Sequence, residues 1–154
     1  MRLTFIFLFC LLIQNCAQKE ALPQDILGYK ITRKVSGSEA VQMVNRLHLQ
    51  AVTDTENEIG FYEKDAKQTI IYITYYQSET NAQSDLLKMI DKISPENSVF
   101  INGGQIESNN FITYSYFGMG QTHFIFRNRQ MLIWLSVDTM IAKDFLDTYT
   151  EYLQ

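Results

Sequence analysis

Between residues 117 and 137 the chain reads FGMGQTHFIFRNRQMLIWLSV, a glycine-flexed corner followed by two apolar runs of strand length joined through RNRQ. Alternation along these runs puts large apolar side chains on both sides. With Asn128 and Arg129 as the turn, Phe124, Phe126, Met131, Ile133 and Leu135 share one side, and His123, Ile125, Leu132 and Trp134 share the other. One side must be core under helices. The other is too apolar for an ordinary solvated face, so it is covered by other parts of the chain, buried in a homodimer, or used to hold a ligand or a partner protein.

An earlier pair of runs repeats the pattern. Ile59 and Phe61, then residues 70–76, flank the polar EKDAKQ, and Ile70, Tyr72 and Tyr76 fall in positions equivalent to the second side. Short β segments at 99–106 and 110–117 bring Tyr114 and Tyr116 to it as well, and a first short strand fits 27–34. The connections ESNN, GMGQ and RNRQ are short, which predicts antiparallel pairing of neighbours.

Three helices complete the pattern. Ser36 with Glu39 forms a capping box, and Ala40, Val41, Val44 and Leu47 then recur at helical spacing, predicting a helix over 37–49. Thr80 with Gln83 starts a second, whose stripe runs through Ala82, Leu86, Met89, Ile90 and Ile93 to a stop at Pro95, with Lys88 and Lys92 near the negative end of its dipole. Asp138 or Thr139 caps a third, in which Ile141, Ala142, Phe145, Leu146, Tyr149 and Leu153 face inward. This order predicts an α+β fold, a single antiparallel β-sheet with helices packed on one face. An internal hairpin-helix repeat is a further expectation, since QTIIYITYY leading into Ala82 and Leu86 parallels QMLIWLSVD leading into Ala142 and Leu146.

At the N-terminus, Arg2 precedes an apolar run over 3–13, followed by Gln14, Asn15 and Cys16. A bilayer-spanning helix needs about 20 apolar residues, so this layout is that of a signal peptide. The run ends directly at a cysteine followed by polar AQKEALPQD, and so resembles the lipobox of bacterial lipoproteins. Gln14 and Asn15 depart from the small residues usual before that cysteine. The resemblance implies lipidation of Cys16 and an extracytoplasmic protein held on a membrane by its N-terminal lipid, in the periplasm at the outer membrane or at the cell surface. Cleavage before Cys16 would remove Cys10 and leave no second thiol for a disulfide. The organisation predicted is a signal peptide at 1–15, a lipidated tether at 16–25 and one α+β domain at 26–154. For 154 residues, 46% hydrophobic and 19% charged, a single domain with a real core is the expected result.

A net charge of −4 offers no basic stripe for phosphates, which argues against nucleic acid as a partner. Hydrolase signatures of the G-x-S-x-G and H-E-x-x-H kinds are missing, and the glycines of GMGQ precede a strand rather than the helix that a phosphate loop needs. His48, Met119 and His123 offer imidazole and thioether, ligands that copper or haem iron would take. A buried histidine bonded to backbone is the competing reading, and no resident cofactor is expected.

The motifs R-L-H after an S-x-E-A helix start, G-M-G-Q-x-H-F and I-W-L-S resemble a group of uncharacterised secreted proteins of bacteria and archaea. That resemblance marks Arg46, Leu47, His48, Gly118, Met119, Gly120, Gln121 and His123 and implies no activity. The function expected is non-catalytic binding of a protein or small molecule through Tyr72, Tyr76, Tyr114, Tyr116, His123 and Trp134, on a sheet face turned away from the helices. Metal or haem handling is the alternative.

Overall fold

The computed structural model describes residues 20–47, 55–94, 96 and 98–154. Its strands are β1 (Asp25–Ile26), β2 (Tyr29–Ser36), β3 (Asn57–Lys64), β4 (Lys67–Tyr75), β5 (Ile101–Ser108), β6 (Phe111–Gly118), β7 (Gln121–Asn128) and β8 (Met131–Asp138). The helices are α1 (Gly37–Leu47), α2 (Glu79–Lys92) and α3 (Ala142–Tyr152). All eight strands form one antiparallel sheet in the order β1-β2-β3-β4-β8-β7-β6-β5. The α+β class and the single antiparallel sheet are those the sequence predicts. Cys16, the signal-peptide segment and His48 lie outside the described residues.

The helices do not share one face, which corrects the expectation. Phe126, Ile133 and Leu135 pack with Phe145, Leu146 and Tyr149 of α3, while their strand neighbours Ile125 and Leu132 pack with Leu86 and Ile93 of α2. On that second face α1 lays Ala40 and Val44 over Ile59. The cause is the two-sided hydrophobicity of the central strands: water would meet one set of apolar side chains if all helices lay together. Although strand-strand-helix occurs twice in the chain, α2 and α3 therefore lie on opposite sides. A rotation exchanging β4 with its antiparallel neighbour β8 would keep both on one side, so the repeat is not a symmetry of the fold.

Local signals act mostly where the sequence puts them. Ser78, rather than the predicted Thr80, caps α2, its hydroxyl accepting from the Asn81 N–H at 3.1 Å. Asp138 caps the single 3₁₀ turn that leads into α3. The β7–β8 hairpin closes with Asn128 opposite Met131, so its turn is Arg129 and Gln130, and every cross-strand pair is offset by two from the predicted register. An even offset leaves each side chain on its predicted face.

The face under α3 is sealed. Phe126, Ile133, Phe145, Leu146 and Tyr149 are fully buried, each large side chain contributing roughly 1.5 to 3 kcal/mol by leaving water. The described part of the expected tether belongs to this packing. Leu22 and Pro23 are buried, and Tyr62, Tyr149 and Tyr152 donate hydroxyl hydrogen bonds to the carbonyls of Pro23, Ala21 and Glu20 at 2.8, 2.9 and 2.7 Å. Three phenols hold residues 20–23 against the domain because an unpaired carbonyl there would be costly to bury.

Candidate functional site

The second face is covered less completely. α1 lies over β2 and β3, α2 over β7 and β8. Between them, above β4 and β8, a cleft of about 540 Å³ remains. Tyr72 and Trp134, directly opposed across β4 and β8, form its floor with Leu132. Val44 of α1 and Met89 and Ile93 of α2 supply apolar walls, and Phe100 closes one end. Tyr72 and Trp134 are partly exposed, as the open space above them requires.

Beneath the cleft His123 is 2% exposed and makes three close polar contacts. The Trp134 indole N–H donates to its Nδ1 at 3.0 Å, and its Nε2 lies 3.0 Å from the Gly118 carbonyl oxygen. An indole can only donate and a carbonyl can only accept, so the ring is neutral with its proton on Nε2. Burial pushes the His123 pKa down, against a smaller upward pull from the Gly118 carbonyl. Phe100 packs edge-on against both rings, with centroids 4.9 Å from His123 and 5.8 Å from Trp134. Trp134 is thus gripped along its edge by His123 and Phe100 and offers the rest of its ring to the cleft.

Two glycines allow this arrangement, for different reasons. Met119 and Gly120 form the β6–β7 turn, both at positive φ (51° and 76°), the conformation for which Gly120 is suited. Gly118 instead leaves room for Phe100: a Cβ there would stand 2.5 Å from that ring. The bend predicted at the GMGQ corner is a two-residue hairpin turn, and Gly118 is there for packing.

Ser136 Oγ lies 3.1 Å from the same His123 Nδ1. Nδ1 has one in-plane lone pair, and the Trp134 N–H is directed at it, so His123 is not placed as a base for this hydroxyl. Both ring nitrogens are engaged, and a metal would have to displace Trp134 or Gly118 to be bound. Met119, 74% exposed, sits with His123 on the cleft lining. Among the described residues no three His, Cys, Asp or Glu side chains come together to hold a metal ion.

Of the predicted partner face, Tyr72, His123 and Trp134 line the cleft. Tyr76 and Tyr114 pack against the cluster that contains Leu86 of α2, and Tyr116 is buried against Phe100 and Gly103. That face is therefore not turned away from the helices as expected; α1 and α2 lie across it and leave the cleft. Sequence reasoning missed Val44, Lys92, Phe100 and Ser136 as lining residues. The stripe that predicts α1 contains Val44, and Ser136 joins His123 only once the hairpin register is known.

No protein-family model matches the chain, and no curated protein matches it. Among solved structures, the chain resembles a GTP binding regulator from Thermotoga maritima with a TM-score of 0.51 and 10% sequence identity, over 80% of this chain and 77% of that one. At that identity the likeness is one of fold alone.

Proposed function

We propose that this chain is a lipid-anchored, extracytoplasmic binding domain whose cleft between α1 and α2 holds a small, mainly apolar molecule. The observation that carries the reading is the cleft itself: about 540 Å³ over an aromatic floor, on a face that is otherwise closed by two helices. Ligand pockets typically enclose roughly 300 to 1,000 Å³ and combine apolar walls with a few polar groups. The held edge of Trp134 adds preorganisation, since a ring already in place loses little freedom on contact. The Thermotoga maritima neighbour is a GTP binding regulator, but a nucleoside triphosphate suits this cleft poorly. Among the described residues its lining offers one cation, Lys92, and the C-terminal end of α2 rather than the helix N-terminus that favours phosphate.

Trp134 is the sole tryptophan, so energy transfer from it to the neutral dye N-phenyl-1-naphthylamine reports dye bound within reach of its ring. Saturable transfer at micromolar dye is the expected result. Transfer that rises linearly without saturation would contradict the reading. Anchoring is tested separately: Cys16→Ser should move the protein from the membrane to the soluble fraction, and an unmodified mature N-terminus in mass spectrometry would defeat the lipoprotein reading.

A further inference from the structure

Among the described residues that line the cleft none is a carboxylate, and Lys92 is the only ionised side chain. Most polar atoms there already have partners within the chain. Thr74 Oγ1 donates to Asn57 Oδ1 at 2.7 Å, Ser98 Oγ donates to the Ile93 carbonyl at 3.0 Å, and Ser136 Oγ and both His123 nitrogens are in contact as described above. Two lining residues, Lys92 and Tyr72, have a polar end with no partner among the described residues. Both can donate. The Tyr72 phenol is protonated at neutral pH, and burial moves its pKa further up.

We infer that the ligand is an apolar molecule bearing a single acidic group, its body on Trp134 and Tyr72 and its acid at Lys92. This rests on the small-molecule reading of the cleft and narrows it. Unpaired donors beside an apolar chamber suit a group that only accepts hydrogen bonds, as an ionised carboxylate does. A quaternary ammonium could also stack on Trp134, Tyr72 and Phe100. It would then meet the Lys92 cation with no carboxylate among the described lining residues to offset the repulsion. The C-terminal end of α2 opposes an anion with about half a charge, which the full charge of the Lys92 ammonium outweighs for one acid but not for a polyanion.

The test compares three amphiphiles of equal chain length, decanoate, decan-1-ol and decyltrimethylammonium, the two ions titrated below their micellar concentrations and the alcohol below its solubility limit, each followed by Trp134 emission. Decanoate should bind about tenfold more tightly than decan-1-ol, the scale of one charge-assisted hydrogen bond, and decyltrimethylammonium more weakly than either. Lys92 is exposed and has no ion-pair partner among the described residues, so Lys92→Met should leave the fold intact. It should bring decanoate down to the level of decan-1-ol, while Lys92→Arg should keep the preference. Equal binding of decanoate and decan-1-ol, or a preference that survives Lys92→Met, overturns the inference and leaves the cleft reading standing. If none of the three alters Trp134 emission and the neutral dye also fails to saturate, both the inference and the cleft reading are wrong.

Discussion

The two faces of the sheet are made from the same strands and by the same alternation, yet they end differently. Under α3, Phe126, Ile133 and Tyr149 are fully buried, and the N-terminal residues 20–23 close the remaining edge. Under α1 and α2, Ile125, Leu132 and Ile59 are equally buried, but Tyr72 and Trp134 remain partly exposed between the helices. Hydrophobicity alone does not separate core from site here. What separates them is whether the covering elements meet: one helix and a pinned segment do, and two helices over different strand pairs leave a gap.

Substitutions should reproduce this difference, with the largest effect on the sealed face. Phe126→Ala should cost about 3 to 5 kcal/mol in denaturant unfolding, because nothing can move in to fill the space. A cost under about 1 kcal/mol would break the comparison by showing that the α3 face is no better packed than the other. His123→Ala comes next, at about 1 to 3 kcal/mol, since it leaves the Trp134 N–H and the Gly118 carbonyl without partners. It should also change Trp134 emission.

Acid should weaken the cleft face first. The His123 pKa lies below its ordinary value of 6.5 in the folded chain, so the unfolded chain binds the proton more readily. His123 therefore adds stability above 6.5 that is lost as pH falls from there toward the lowered folded value. Equilibrium unfolding measured at stepwise lower pH should show that loss, and the step should vanish in His123→Gln. Trp134→Phe should have the smallest effect, below about 1.5 kcal/mol, because the Ser136 hydroxyl is near enough to donate to Nδ1 in place of the indole. Adding Ser136→Ala should then cost more than the two single changes together. Simple additivity would mean that the hydroxyl does not substitute.

Much of this was legible in the sequence, and the misses have physical causes. Strand alternation placed Phe124 and Trp134 on opposite faces, and the assignment survived a turn placed one residue early because pairing then slips by two. The side to which a helix crosses after β4 or β8 is not written in any local period. Nor is a gap between helices, since it depends on where Val44 and Met89, far apart in the chain, come to rest. Reading GMGQ as a bend was right for Gly120, while the role of Gly118 depends on Phe100, which no spacing rule connects to it.

The space above Trp134 is proposed as a binding site. Val44→Phe tests it most directly, by adding a ring from α1 to fill the cleft while Trp134 stays in place to report. The variant should keep the wild-type unfolding free energy within about 1 kcal/mol and lose saturable energy transfer to N-phenyl-1-naphthylamine. Undiminished transfer in a folded Val44→Phe protein would show that the dye binds elsewhere and that the cleft is only an imperfection of packing.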